Sequence, residues 1–207
     1  MQFIAIDGEG IGDAKGMHLY ALLANSLGRF VYRSRGIPTI AAIEFILTTK
    51  VENPNAVLVG FGFNYDVNMI LRDVDKETLS ALWNEGEARW KSKEGHSFRF
   101  EWIPGKYFRV SYGRISARIY DVFGFFQQSF VHALEDYGIG AAYLDFIRAQ
   151  KDKRSDFSKE DESTLKKYCV AECRLLVEMM EKLTEALDAT DPHRPRLWAR
   201  LVFRSSQ

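Results

Sequence analysis

Apolar and polar positions alternate or recur along the chain in a way that predicts a mixed α/β protein. Phe3 to Ile6 form an apolar run that leads into Asp7 and Glu9, and HLYALLANS and GRFVYR follow as two further strands joined by a glycine-containing turn, an antiparallel meander. TIAAIEFILTTK places Ile40, Ile43, Phe45, Ile46 and Leu47 at helical spacing, and AVLVGFGF is a short apolar run, so helix and buried strand predict a βαβ crossover. NYDVNMILRDV and KETLSALWNEG read as helices. Residues 87–118 alternate aromatic or apolar with polar side chains and break at Glu94-Gly95, Pro104-Gly105 and Tyr112-Gly113, the pattern of successive β-hairpins. ARIYDVFGFF reads as a strand returning to the sheet and QSFVHALEDYG as a helix, while RAQKDKRSDFSKED reads as a polar linker. A last long helix follows, with Leu165, Tyr168, Cys169, Glu172, Leu176 and Met179 or Met180 on one stripe. A short basic tail covers 191–207.

Composition narrows the classes without choosing a function. The 207 residues are 46% hydrophobic and 27% charged, which suits a folded globular domain, and no stretch approaches the roughly 20 apolar residues of a membrane span. The N-terminus lacks a signal-peptide pattern, so a cytoplasmic protein with no membrane partner is expected. Cys169 and Cys173, four apart on one helix, read as buried reduced thiols rather than a zinc site. Net charge is zero, yet 87–118 holds eight Lys or Arg against three Glu. Interleaved with Trp90, Phe98, Phe100, Trp102, Tyr107, Phe108 and Tyr112, that charge suits either a nucleic-acid surface or a solvated hairpin packing one aromatic face.

The chemistry starts at Asp7 and Glu9. Residues two apart on a strand share a face, about 6.6 Å apart, and two carboxylates so placed repel each other unless a cation or a proton lies between them. Oxygen ligands on a rigid element suit Mg²⁺ or Mn²⁺. Asp66, opening a helix after a central strand, and Glu172, on the last helix, add acids from distant segments, and Tyr168 lies one turn before Glu172.

In the order IDGEG, NYD and YCVAE, these motifs resemble those of the DEDD superfamily of 3′-to-5′ exonucleases, whose third motif carries Tyr and Asp. The likeness is strongest to the exonuclease domain of family B DNA polymerases, particularly the protein-primed polymerases of phages and plasmids, and YDVFGFFQQSF is similar to their segment between the second and third motifs. It extends over residues 3–187. The resemblance implies a ribonuclease H-like mixed β-sheet flanked by helices over 1–190, with 87–118 as a β-hairpin insertion. It also implies two-metal hydrolysis of phosphodiester bonds at the 3′ end of single-stranded DNA, with two Mg²⁺ or Mn²⁺ ions. Asp7, Glu9, Asp66 and Glu172 would be the metal ligands and Tyr168 would orient the attacking water, so that these five are the catalytic set. Gly8 and Gly10 would leave room for substrate to approach the backbone. Asn64, Tyr65, Arg99, Lys106 and Arg109 would complete the substrate contacts.

Glu172 stands where the family has Asp, and Gly62 stands in the usual register of an Asn, with Asn64 nearby. The relatives' lysine between the second and third motifs has His132 or Lys151 as counterparts, and that assignment stays open. The likeness reaches the exonuclease part of those polymerases and not a palm or thumb, so a free-standing exonuclease or the amino-terminal part of a split polymerase is expected, the latter with a polymerase subunit or domain as partner. A catalytically weak binding module and an exoribonuclease are the alternative readings.

Overall fold

A computed structural model describes residues 1–12, 18–152 and 162–190. Its strands are β1 (Phe3–Gly12), β2 (His18–Asn25), β3 (Phe30–Tyr32), β4 (Val57–Gly60), β5 (Glu87–Lys91), β6 (Ser97–Ile103), β7 (Tyr107–Tyr112) and β8 (Ile115–Asp121). Its helices are α1 (Thr39–Glu52), α2 (Asn64–Ile70), α3 (Lys76–Glu85), α4 (Phe123–Phe126), α5 (Phe130–Asp136), α6 (Ala141–Asp152) and α7 (Glu162–Thr190).

All eight strands form one mixed sheet in the order β3-β2-β1-β4-β8-β7-β6-β5. The meander β1-β2-β3 is antiparallel, β4 lies parallel to both β1 and β8, and β8 to β5 form a second antiparallel run. The hairpins of 87–118 are therefore built into the main sheet, which they widen beyond β8. No helix of the described residues is long and apolar enough to cross a membrane.

Each face of the sheet has its own core. Ile4, Ile6, Leu58, Phe100, Phe108 and Ile119 pack under α1, α2 and α3, whereas Phe3, Ala5, Leu22 and Val59 pack under α5 and α7. Alternation along β1 puts Asp7 and Glu9 on the same side as Phe3 and Ala5, the side that α7 covers. α7 rests on β1 and β2, and its predicted stripe is buried, with Leu165, Tyr168, Cys169, Glu172, Leu176, Met179 and Met180 all at 5% exposure or less. Both cysteines are free and buried.

The register of β1 with β2 shifts between Glu9 and Gly10, where Glu9 faces Leu22 but Gly10 faces Tyr20. Ala21 is the extra residue. In a regular strand Tyr20 and Leu22 would share a face, whereas here Leu22 packs with the α7 side and Tyr20 with the α1 side. A bulge re-aims a side chain in this way.

The polar linker expected over 148–161 is corrected in its first part, because α6 runs through Asp152 and buries Ile147 and Gln150. One buried residue per turn is enough to seat a helix whose other faces are charged, so polar composition alone reads as linker. The remainder of that stretch, 153–161, and the basic tail 191–207 lie outside the described residues.

Candidate metal and active site

The acids converge. Carboxylate oxygens of Asp7, Glu9 and Glu172 lie within 4.8 Å of one another, two delivered by β1 and one by α7 from the opposite end of the chain. Glu9 and Glu172 are 4% and 5% exposed. Loss of solvent first, and then the charges of Glu172, Asp66 and Glu9, push the Asp7 carboxyl well above the ordinary carboxylate range. Like charges held at this range are relieved either by a proton retained on one of the acids or by a hard cation that takes oxygen ligands.

Asp66 approaches from α2. It is buried at 3% exposure, and its Oδ1 accepts a 2.7 Å hydrogen bond from the hydroxyl of Tyr20, the residue that the bulge turned toward it. Burial and the Asp66 charge push the Tyr20 phenol well above its usual range, so this hydroxyl acts as a fixed donor. The start of α2 is held by Asp121 at the end of β8. Its carboxylate accepts from the backbone N–H groups of Gly62 at 2.9 Å, Phe63 at 3.0 Å and Phe123 at 3.0 Å. Gly62, at φ +65°, makes the turn between strand and helix in a conformation that favours glycine.

Two adjoining cavities open on the cluster, both lined by Asp7, Phe61 and Gly62. One, of about 240 Å³, adds Phe123, Phe130, Lys151, Glu172 and Cys173. The other, of about 270 Å³, adds Glu9, His18, Tyr65 and Asp66. Phe61 meets Phe123 and Phe130 edge to face, so an aromatic wall stands beside the acids. Lys151 reaches in from α6 with its Nζ 3.3 Å from Glu172 Oε1 and 5.1 Å from the centre of the Phe130 ring. His132, the alternative to Lys151, lies exposed on α5.

Tyr168 is fully buried against Phe146 and lines neither cavity; the next residue, Cys169, meets Asp7 instead, its thiol 3.3 Å from the Asp7 carbonyl and 3.9 Å from Oδ2. Gly8 and Gly10 line the second cavity, and each also lets a side chain of the protein pack close against the strand. A Cβ at Gly8 would stand 1.9 Å from the Tyr20 hydroxyl oxygen, and one at Gly10 would stand 2.1 Å from His18 Nε2 and 2.5 Å from the Tyr65 hydroxyl oxygen. His18 and Tyr65 hydrogen-bond to each other over that glycine. Asn64 accepts from the backbone N–H of Gly105 at 3.0 Å, which ties the β6–β7 turn to α2.

Of the two readings of the 87–118 aromatics, packing of one face against the domain describes five of the seven. Trp90, Phe98, Phe100, Trp102 and Phe108 are buried on the α1 and α3 side, while Tyr107 shares the opposite face with the charged side chains, its ring 4.5 Å from the Arg118 guanidinium. There Arg99 pairs with Glu87 and Glu101, and Arg109 pairs with Glu101, while Lys106 is exposed in the β6–β7 turn.

Sequence reasoning had no signal for Tyr20, Cys169 or the aromatic wall as site components. Compared with protein-family models, curated proteins and solved structures, the chain gives no match.

Proposed function

We propose that the protein is a metal-dependent 3′-to-5′ exonuclease of ribonuclease H-like fold that shortens single-stranded DNA. The observation that carries this reading is the meeting of Asp7, Glu9 and Glu172 within 4.8 Å. A cluster of buried acids is costly in a protein that only packs or binds polyanions, because it repels both itself and a phosphate. The mixed sheet, with the acidic strand among its inner strands and the last helix across it, also supports the reading.

Asp7, Glu9 and Glu172 would hold one Mg²⁺ or Mn²⁺, and Asp66 beside them would help hold a second. Bound ions of this kind supply an activated water and stabilise the departing 3′ oxygen. The chain's own groups do the rest. Tyr20 fixes the Asp66 carboxylate, and Asp121 fixes the turn from which α2 presents it. Lys151 places its ammonium beside Glu172, where it meets the negative charge of the scissile phosphate. Phe61 and Phe123 offer ring faces and edges for the terminal base, a contact that tolerates any base. Tyr168 is packed in the core against Phe146, one turn before Glu172.

The test is to incubate 3′-labelled and 5′-labelled single strands, as DNA and as RNA, with Mg²⁺ or Mn²⁺ and with EDTA. Stepwise loss from the 3′ end of DNA that stops in EDTA is the expected result. Cleavage that persists in EDTA, or cutting of circular single strands, would overturn the reading, and faster loss from RNA would move it to an exoribonuclease.

A further inference from the structure

The run β5 to β8 has one face buried against helices and one turned to solvent. Leu58 pairs with Ile119 on the α1 side, so Val59 and its neighbour Tyr120 lie on the α7 side, and with Tyr120 go Arg118 and Ser116. Register carries that face outward in rows. Arg118 lies beside Arg109, which faces Glu101, and Ser116 lies beside Ser111, which faces Arg99, which faces Arg89. The open, cationic face of β5 to β8 is thus on the same side of the sheet as Asp7 and Glu9. It holds Arg89, Lys91, Arg99, Arg109 and Arg118, with Arg114 in the β7–β8 turn, against Glu87 and Glu101. Glu101 is occupied by Arg99, Arg109 and Arg118. Arg89, Lys91 and Arg114 make no ion pair among the described residues, and with Arg99 and Arg109 they border a concavity of about 580 Å³. Ser97, Ser111 and Ser116 put hydroxyls between the cations.

We propose that this face is a backbone track: it holds the sugar-phosphate chain of a single strand 5′ to the terminus that enters the acidic site. The inference rests on the nucleic-acid reading above and adds where the rest of the strand runs and what it is held by. Five inter-strand steps separate β1 from β5, about 24 Å at the usual strand spacing. That path accommodates about four nucleotides, the low end of single-strand site sizes. Cations and hydroxyls are what phosphates bind; Trp90, Phe98, Phe100, Trp102 and Phe108 lie on the other, buried face, and Tyr107 and Tyr120, which share the cationic face, lie against the Arg118 guanidinium, 4.5 and 5.8 Å from their ring centres. The track therefore reads charge and not bases.

The test uses fluorescence anisotropy in EDTA, so that binding is read without cleavage. Its probes are a 20-nucleotide 5′-labelled strand and a strand of the same length with an abasic core. The wild type should bind both within about threefold. The triple variant Arg89→Ser, Lys91→Ser, Arg114→Ser should lose at least tenfold in affinity at low salt. Its log–log salt slope should fall by about 2, from roughly 0.7 per phosphate contact over three contacts. The matching variant Arg89→Lys, Arg114→Lys should keep wild-type affinity, which separates lost charge from lost fold. An unchanged slope in the triple variant, or loss of binding to the abasic strand by the wild type, would overturn the track. Binding by the wild type as expected, with no 3′ cleavage of the same strand in Mg²⁺ or Mn²⁺, counts against the exonuclease reading alone.

Discussion

Lys151 on α6 and Glu172 on α7 stand 3.3 Å apart at the rim of the acidic cavity, with the lysine side chain 24% and the glutamate side chain 6% exposed. The ammonium thus lines one of the two cavities that open on the cluster. Lys151→Ala is expected to cost about 10²-fold in kcat, the scale of one lost electrostatic donor, with a smaller change in KM. Glu172→Gln should cost more, since the amide keeps the shape and removes the charge that a hard cation requires, and Glu172→Asp should retain measurable cleavage. Single-turnover rates on a 3′-labelled strand measure all three. Equal rates for wild type and Glu172→Gln would remove α7 from the site.

Asp7 makes the metal-free protein sensitive to pH. Its folded carboxyl has a raised pKa, while the unfolded chain ionises near the ordinary value of about 3.9. Below that value both states are protonated and no penalty exists. As pH rises through it toward the folded pKa, the unfolded chain gives up its proton more readily, and stability falls. Tm in EDTA should therefore drop between pH 4 and 8, Asp7→Asn should flatten the drop and melt higher at pH 7, and Mg²⁺ or Mn²⁺ should raise Tm in the wild type only. A wild-type Tm that rises over this range in parallel with Asp7→Asn would contradict the account.

Tyr20→Phe removes the donor to Asp66 and nothing else in the cluster. A buried carboxylate left short of one hydrogen bond costs about 1–3 kcal/mol, to be read from the urea midpoint. The Mn²⁺ requirement for cleavage should rise as well, because Asp66 is no longer held in one position. A variant that loses stability with an unchanged Mn²⁺ titration would make Tyr20 a packing residue only.

Asp121→Ala releases three backbone N–H groups at once, those of Gly62, Phe63 and Phe123. Hydrogen exchange at Gly62 and Phe63 should quicken, and cleavage should slow although Asp121 lines neither cavity. Asp121→Asn, which keeps an acceptor oxygen, should lie between Asp121→Ala and wild type. Unaltered exchange in Asp121→Ala would show that the turn is held by other means.

Most strands and the acidic triad were legible in the sequence because they follow from short periods. Alternation puts Asp7 and Glu9 on one face of β1, and a helical stripe puts Glu172 on the buried side of α7. A stripe is about 100° wide or more, however, so it does not decide which of its members faces the cavity. Tyr168 and Cys169 share that stripe, and α7 packs so that the thiol meets Asp7 while the phenol is buried against Phe146. Lys151 was one of two alternatives because its surroundings are polar in sequence, and only the packing of α6 brings it to Glu172. The glycines told of close approach but not of what approaches, and the Ala21 bulge, which places Tyr20 under Gly8, leaves no mark in local composition.

The Gly8–Tyr20 contact also orders the substitutions this site can accept. A Cβ at position 8 would stand 1.9, 2.3 and 2.5 Å from the oxygen and two ring carbons of Tyr20, so shortening the side chain by its hydroxyl alone does not clear the space. Descent from this sequence to one with alanine at position 8 must first pass through a small residue at position 20, and that step gives up the donor to Asp66. The two positions are thereby bound into a single heritable unit, in which a change at the glycine is viable only in a lineage that has already found another way to hold the acid.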